Sequence, residues 1–242
     1  MADWFLKVKK DFITCFIDKD RWHYISGGLV NTLKIALVAV LLGVAIGTVV
    51  AIIRSTYDKN AATMRPGIAR FLLGLGNAVC RVYLTVIRGT PVMIQILIMF
   101  FVIFSNARDG VPVAMLTFGI NSGAYVAEII RGGIMSVDNG QFEAGRSLGF
   151  NYVQTMLYIV IPQVFKSVLP ALLNEFIALL KETSVAGYVG IMDLTKAGDL
   201  IRGRTFSAFM PLIAVALVYL IIVMLLTSLV GQLERRLRKS ER

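Results

Sequence analysis

The amino-acid sequence predicts an all-α membrane protein with five transmembrane helices. Two observations support this fold class. Apolar residues make up 57% of the 242 positions, with a mean hydropathy of +0.73, and several long stretches of the chain contain no charged side chain. A bilayer core about 30 Å thick requires roughly 20 consecutive apolar residues per helix. This composition excludes a disordered chain and is unusual for a water-soluble domain.

Four uncharged stretches have the length of a transmembrane helix. They contain 19, 19, 18 and 29 residues and lie between Lys34 and Arg54, Arg88 and Arg108, Asp109 and Glu128, and Arg204 and Glu234. Further along the chain, Pro162 and Pro170 interrupt helical hydrogen bonding. We therefore predict a peripheral helix that enters the membrane obliquely near residue 152, followed by one span at about 164–184. Hydropathy alone allows five or six spans, and five is our prediction.

The charge distribution predicts the domain order and orientation. Segment 1–24 is expected to be an extracytoplasmic amphipathic helix, since apolar residues recur along it every three or four positions. Segment 25–232 is the transmembrane domain, and 233–242 is a basic cytoplasmic tail. The net charge is +10, and Lys and Arg cluster beside the spans at 54–88 and 235–242, as in cytoplasmic segments. No aromatic-basic groove pattern accompanies them, so nucleic acid is not an expected partner.

Catalytic and metal-binding motifs are absent from the sequence. The single histidine, His23, has no His or Cys at ligand spacing. No Gly-Lys dipeptide occurs, so the phosphate-binding loop of ATPases cannot form. We expect no enzyme activity, metal site or cofactor in this chain. Cys15 and Cys80 are predicted to lie on opposite sides of the membrane, which excludes a disulfide between them.

A spaced motif lies within the predicted cytoplasmic segment 138–162. The positions that define it are Glu143, Ala144, Gly149, Ile159 and Pro162. This spacing resembles the EAA motif of ABC-importer permeases, in which a short cytoplasmic helix couples the permease to an ATPase. Gly145 stands where that motif has a second alanine, and Ile161 replaces a leucine.

The same segment has the physical features of a docking helix. Ala144, Gly145 and Gly149 are small enough for close contact, and Gly149 can adopt a positive φ at the end of a helix. Glu143 is predicted in the first helical turn, where a carboxylate interacts favourably with the helix dipole. We assign Glu143, Ala144, Gly145 and Gly149 to coupling, and the alternative is an ordinary cytoplasmic loop helix.

Three further sequence segments narrow the resemblance. Residues 88–91, 123–134 and 174–184 are similar to the corresponding segments of the polar amino-acid uptake permeases, the His/Glu/Gln/Arg/opine family. The similarity covers about residues 27–232. It implies a type I ABC-importer permease fold in the bacterial inner membrane and ATP-driven import of a polar amino acid. Members pair two permease chains, identical or different, with two ATP-binding subunits and an extracytoplasmic substrate-binding protein. ATP and Mg would then be bound by the partner subunits.

Four polar residues are candidates for the substrate pathway: Thr90, Gln95, Glu175 and Glu182. Thr90-Pro91 is predicted to begin a helix, whose N-terminus can meet a substrate carboxylate. Glu175 and Glu182 are seven residues apart, close to two helical turns, and we expect them to face the ammonium or cationic end. A carboxylate at the centre of a span costs about 2.5–3.5 kcal/mol, so the alternative is a salt bridge between chains.

Two other polar groups are expected to be structural. Glu128 precedes Arg131 by three positions, which allows an ion pair across one helical turn. Asn121, Ser122 and Gly123 are expected to be packing residues. Two other functions stay open at this point: an ion-coupled secondary amino-acid transporter, for which inverted repeats would be the sign, and a non-transporting membrane scaffold.

Overall fold

The computed structural model describes residues 2–61 and 64–239, and within these ranges it contains ten α-helices and no β-strand. The helices are α1 Ala2–Phe12, α2 Trp22–Asn60, α3 Ile68–Gly89, α4 Val92–Ile98, α5 Gly110–Ser136, α6 Asn139–Ser147, α7 Tyr152–Thr155, α8 Ile161–Glu182, α9 Leu194–Thr205 and α10 Phe209–Lys239. The predicted all-α class is confirmed. Residues 240–242 of the predicted tail lie outside the described residues.

Five helical runs within the described residues are long and apolar enough to cross a membrane: α2, α3, α5, Tyr152–Val189 and most of α10. The predicted number of spans is confirmed, but the predicted place of the second span is wrong. We expected it between residues 88 and 108 and assigned 54–88 to the cytoplasm. Instead, α3 has the span length, and Val92–Ile103 is a shorter apolar helix, made of α4 and a π-helical turn.

The arginines of α3 explain why charge spacing missed this helix. Arg70, Arg81 and Arg88 are 11 and 7 residues apart, so they lie on one face. The opposite face is apolar and exposed, and it consists of Ile68, Leu72, Leu75, Val79, Val82 and Val86. A span of this amphipathic kind contains no long uncharged stretch, although one complete face is apolar.

The helical run Tyr152–Val189 also differs from the prediction. We expected an oblique helix and then a separate span at 164–184, whereas the structure has one continuous helical run of 38 residues. A π-helical turn over Met156–Val160 ends two residues before Pro162, and Pro170 lies inside α8. Such a wider turn accommodates the hydrogen bond that proline cannot make. The prolines therefore change the local winding without ending the helix.

By its internal contacts the chain divides into two compact units. The first comprises Met1–Ala39, Val92–Phe118 and Ile177–Leu229. A π-helical turn after α1 carries Cys15 and Phe16, which are buried against Ile201 of α9. This contact attaches the N-terminal amphipathic segment to the rest of the first unit.

The second unit comprises Val40–Pro91, Gly119–Phe176 and Val230–Arg242. One apolar cluster joins α2, α3 and α5 through Val50, Cys80, Leu84, Ala124 and Ala127. A second cluster consists of Ile134, Phe142, Val160, Val164 and Val168. Helices α2 and α5 approach so closely that a Cβ atom on Gly47 would lie 2.6 Å from Val126. Both cysteines of the chain are buried free thiols.

Candidate functional site

The predicted coupling segment forms a capped helix in the second unit. The Asp138 side chain accepts a hydrogen bond from the Gly140 N–H and begins α6. At the other end, the Phe150 N–H donates to the Gly145 carbonyl (3.0 Å), and the Gly149 N–H donates to the Arg146 carbonyl (2.9 Å). These are the two bonds of a Schellman motif. Gly149 has the positive φ that this motif requires, +82°, as predicted.

A close contact holds the coupling helix against the helix that follows it. A Cβ atom on Gly145 would lie 2.7 Å from the Thr155 side chain. Asn151 and Gln154 form a reciprocal capping box at the start of α7, which fixes Thr155 in place. The small size of Gly145 therefore serves packing within this chain, and Gly145 is buried rather than exposed for a partner.

The opposite side of α6 is exposed. Glu143, Ala144, Arg146 and Ser147 all face outward, and Leu148 follows them with 72% of its surface exposed. The predicted place of Glu143 in the first helical turn is wrong, because the helix begins at Asn139 and Glu143 lies in its second turn. The dipole argument therefore does not apply to Glu143, whose carboxylate is available at an exposed surface.

Contacts to the end of α2 anchor the coupling helix further. Lys59 Nζ lies 3.1 Å from Asn139 Oδ1 and 4.0 Å from the centre of the Phe142 ring. The Phe142 ring is buried and stacks on Tyr152. These groups, together with Asn60, Glu143, Arg146 and Thr155, line a cavity of about 410 Å³. The start and the core of α6 are thus tied to α2 as well as to α7.

Five charged residues of the second unit form what we call the Glu128 cluster: Glu128, Arg131, Arg54, Arg88 and Asp58. Arg131 Nη2 and Arg54 Nη1 each lie 3.1 Å from a Glu128 carboxylate oxygen, and Arg88 Nη1 lies 3.9 Å from Oε2. Arg131 also lies 3.3 Å from Asp58. The predicted pair of Glu128 and Arg131 is confirmed. The cluster joins α2, α3 and α5 and has three cations against two carboxylates.

Two of the candidate pathway residues lie in the second unit. Thr90 is exposed and extended between α3 and α4, and its hydroxyl donates to the Val86 carbonyl (2.9 Å). To donate to a substrate carboxylate, the hydroxyl must give up that bond. Glu175 is half-buried in α8, where Oε1 accepts from the Ser122 hydroxyl at 3.1 Å.

The other two candidates lie in the first unit. Gln95 is half-buried in α4 and directly precedes the buried Ile96. Glu182 is the last residue of α8, and it is exposed. The apolar helix α4 begins at Val92, directly after Thr90-Pro91, so the predicted helix start is confirmed to within one residue. The role of all four residues in a substrate pathway stays a prediction.

Sequence reasoning missed three groups that the structure brings to these sites. Arg54 and Asp58 of α2 bind Glu128 and Arg131 of α5 across more than 70 positions of sequence. Ser122 was expected only to pack, and it is fully buried against Gly43 while it also bonds to Glu175. One feature of the sequence could have indicated these contacts: Arg54 and Asp58 lie four residues apart, on one helical face, at the end of an apolar stretch.

Comparison with known proteins identifies the family. Residues 66–239 match the family described as binding-protein-dependent transport system inner membrane component. The glutamine transport system permease protein GlnP of Escherichia coli K12 is 35% identical over 215 residues, which cover 87% of this chain and 93% of that protein. The arginine transport system permease protein ArtQ of Bacillus subtilis is 33% identical over 221 residues, or 90% of this chain and 94% of that protein.

Solved structures agree with this assignment. The crystal structure of an amino acid ABC transporter with histidines contains a chain with a TM-score of 0.78 and 36% identity, covering 91% of this chain and 98% of that one. The inward-facing methionine ABC transporter MetNI matches with a TM-score of 0.74 at 20% identity, covering 89% and 97%, and shows the fold alone. The predicted type I importer fold is confirmed, and the ion-coupled alternative gains no support. The chain belongs to the binding-protein-dependent transport family, as an inner-membrane permease of the amino-acid ABC-importer type.

Proposed function

We propose that this chain is the permease subunit of an ATP-driven importer of polar amino acids. The exposed, firmly held coupling helix is the observation that carries the proposal. A helix that transmits force to another subunit needs an accessible face and a rigid attachment, and α6 has both: Glu143 and Ala144 are exposed, while Gly145 and Phe142 are buried. The relatives named for glutamine, arginine and cystine transport support a polar amino acid as the substrate class.

The proposed complex contains a second permease chain, identical or different, two ATP-binding subunits and an extracytoplasmic substrate-binding protein. ATP and Mg are held by the ATP-binding subunits, so hydrolysis takes place outside this chain. Closure of these subunits on ATP moves the coupling helix, and the transmembrane helices then alternate between outward and inward access. The Schellman turn at Gly149 and the contact between Gly145 and Thr155 hold α6 against α7, which begins the same helical run as α8, so that α6 and this run move together.

Reconstitution tests the proposal directly. The chain is purified with its native partners, which are identified, and the complex is placed in proteoliposomes. We expect ATP hydrolysis that a polar amino acid stimulates only when the binding protein is present, together with ATP-dependent uptake. Uptake driven by an ion gradient without an ATPase would overturn the proposal and favour a secondary transporter.

The proposed orientation has the N-terminus outside and the C-terminus in the cytoplasm, since five spans lie between the two ends. The basic residues Arg54 and Lys59 near the end of α2, and Arg235 and Arg236 near the end of α10, support it. In a variant without Cys15 and Cys80, cysteines are introduced at the exposed positions Asp18, Ser147 and Arg236. We expect an impermeant thiol reagent to label Asp18→Cys in intact cells and to leave the other two protected. Labelling of Ser147→Cys from outside would reverse the orientation.

Substrate contacts are proposed for Thr90, Gln95, Glu175 and Glu182. Glu175→Gln and Glu182→Gln keep the size of the side chain and remove its charge, and Thr90→Val removes a hydroxyl. We expect each change to lower uptake and substrate-stimulated ATPase by about tenfold, the scale of one lost charge-assisted hydrogen bond. For the two carboxylates the loss should be larger with a cationic amino acid than with a neutral one.

A matched control distinguishes this role from a structural one. Glu234→Gln removes a carboxylate from α10 near the C-terminal end of that helix. We expect uptake by this variant to equal that of the wild type, and all four variants to insert and to bind the ATP-binding subunits normally. Near-wild-type rates for Glu175→Gln, Glu182→Gln and Thr90→Val would mean that these residues are structural.

A further inference from the structure

The cavity of about 410 Å³ beside the coupling helix, which we call the Lys59 cavity, lies where the end of α2, α6 and α7 meet within the second unit. Capping hydrogen bonds fix the start of α6 and the start of α7, so the walls of the cavity are held in place. Its volume is within the range of pockets that bind small molecules, about 300–1,000 Å³. The four candidate pathway residues do not line it.

Two cationic side chains line the Lys59 cavity without a carboxylate partner. Lys59 Nζ lies 3.1 Å from Asn139 Oδ1 and 4.0 Å from the centre of the Phe142 ring, and both of these groups are uncharged. Among the residues that the structure describes, no carboxylate lies within ion-pair distance of Lys59 or Arg146. Glu143 also lines the cavity, so two cations against one carboxylate leave a net charge of +1. An anionic ligand would neutralise this excess.

A buried hydroxyl group lies in the wall of the same cavity. Tyr152, the first residue of α7, lines the cavity, and its ring stacks on Phe142. The Tyr152 hydroxyl oxygen is buried and has no hydrogen-bond partner among the described residues. An unpaired buried polar group costs folding free energy, and a bound water or ion is a common explanation for it. Ammonium, guanidinium and hydroxyl groups are all donors from which an oxyanion accepts hydrogen bonds.

The arrangement of these donors favours a phosphate group over a carboxylate. Lys59, Arg146 and Tyr152 belong to three different helices, so they border the cavity on different sides. A phosphate group has at least three acceptor oxygens arranged around a tetrahedral centre, and it can accept from several directions at once. The two oxygens of a carboxylate lie in one plane. Arginine also matches phosphate well, because its planar fork of N–H donors can bind two phosphate oxygens together.

We propose that the Lys59 cavity binds a small phosphate group through Lys59 and Arg146. The inference rests on the proposed function only for the side of the membrane, which is the cytoplasmic one. Lys59 lies at the end of α2 and Arg146 in the last turn of α6, so a bound phosphate bridges the two helices. Occupation of the cavity therefore tightens the attachment of the coupling helix. The phosphate belongs either to a free compound in the cytoplasm or to the headgroup of an anionic lipid.

Pyridoxal 5′-phosphate tests the cavity, because it carries both a phosphate group and an aldehyde that reacts with lysine. The aldehyde carbon bonds to the lysine Nζ with loss of water, and borohydride then reduces the C=N bond to a stable secondary amine. The full-length chain is placed in phosphatidylcholine nanodiscs without the ATP-binding subunits, which would bind phosphate themselves. Mass spectrometry then locates the modified lysines.

We expect Lys59 to react about tenfold faster than Lys9 of α1, because Arg146 holds the phosphate of the reagent nearby. Lys59 is half-buried and Lys9 is exposed, so accessibility alone would favour Lys9. Inorganic phosphate should compete for the cavity and abolish the difference. It should also raise the midpoint of thermal unfolding of the wild-type chain, since a ligand that binds the folded state stabilises it.

Arg146→Gln removes one cation of the cavity at an exposed position, so the variant should fold normally. We expect its Lys59 to react about tenfold more slowly than in the wild type, and inorganic phosphate to change neither this rate nor the unfolding midpoint. The matched control is Arg235→Gln, which removes an exposed arginine of α10 that does not line the cavity. This control should react as the wild type does.

Nanodiscs that contain phosphatidylglycerol, with no inorganic phosphate added, distinguish the two sources. Protection of Lys59 relative to Lys9 in these nanodiscs identifies a lipid headgroup, whereas protection by inorganic phosphate in phosphatidylcholine identifies a free compound. The site is wrong if neither protects Lys59, if Lys59 reacts no faster than Lys9, or if Arg146→Gln reacts as the wild type does. These results do not depend on transport, so they leave the proposed function standing, and reconstitution of ATP-dependent uptake tests that function separately.

Discussion

Gly149→Val is expected to uncouple the permease from its ATPase while leaving the chain inserted in the membrane. Gly149 has a φ of +82°, and a β-branched residue cannot adopt that conformation without a cost of about 1–3 kcal/mol. The Schellman bonds that end α6 then break, and the exposed face loses its orientation. Substrate-stimulated ATPase in proteoliposomes should fall by at least about tenfold.

Two further variants show whether backbone conformation is the cause. Gly149→Asn should keep most of the activity, because asparagine tolerates the left-handed region. Gly132→Val is the matched control in α5, where a Cβ meets nothing within 4 Å and φ is not positive; we expect wild-type coupling. Equal activity of Gly149→Val and Gly132→Val would mean that the turn has no part in coupling.

Glu143→Lys tests the exposed face of the same helix by charge reversal. The Glu143 side chain is exposed, so we expect no change in insertion or in thermal stability, and a loss of ATPase-subunit binding. Normal binding and normal stimulation in this variant would remove Glu143 from the docking face.

Glu128→Gln is expected to have the largest effect on stability. The change leaves Arg54, Arg88 and Arg131 close together with only Asp58 as a counter-charge. Removing one partner of a fully buried ion pair costs about 3–5 kcal/mol. The Glu128, Arg54 and Arg131 side chains are 15% to 27% exposed, so solvent screening reduces the cost to about 2 kcal/mol. The midpoint of thermal unfolding in detergent should fall by roughly 5 °C.

An exposed ion pair supplies the control for this stability measurement. Asp199→Asn removes a carboxylate that pairs with Lys196 and Arg202 at the surface of α9, where side-chain exposure is 38% to 51%. Such pairs contribute little, so we expect almost no change in the midpoint. Adding Arg54→Met to Glu128→Gln should recover part of the loss, since it removes one unpaired cation. Equal midpoints for Glu128→Gln and Asp199→Asn would contradict a stabilising role of the Glu128 cluster.

The number of spans and the coupling helix could be predicted from the sequence because both depend on local composition and spacing. A purely apolar helix such as most of α10 has no other stable environment than the bilayer. Gly149 could be predicted at a helix end, with positive φ, because that conformation favours glycine regardless of the surrounding fold. The ion pair of Glu128 and Arg131 could be predicted because it requires only that the two residues lie one helical turn apart.

The sequence by itself therefore determined the all-α membrane class, the five spans, the family and the place of the coupling motif. Only the tertiary structure decided which residues meet across helices. Helix α3 is long and apolar enough to span a membrane although it carries arginines, because these share one face. The prolines at 162 and 170 stay within one helical run, and Gly145 packs against Thr155. Ser122 bonds to Glu175, and Arg54 to Glu128, at separations of 53 and 74 positions. Periodicity along a chain records which face a residue occupies, whereas the partner opposite that face depends on how distant helices pack.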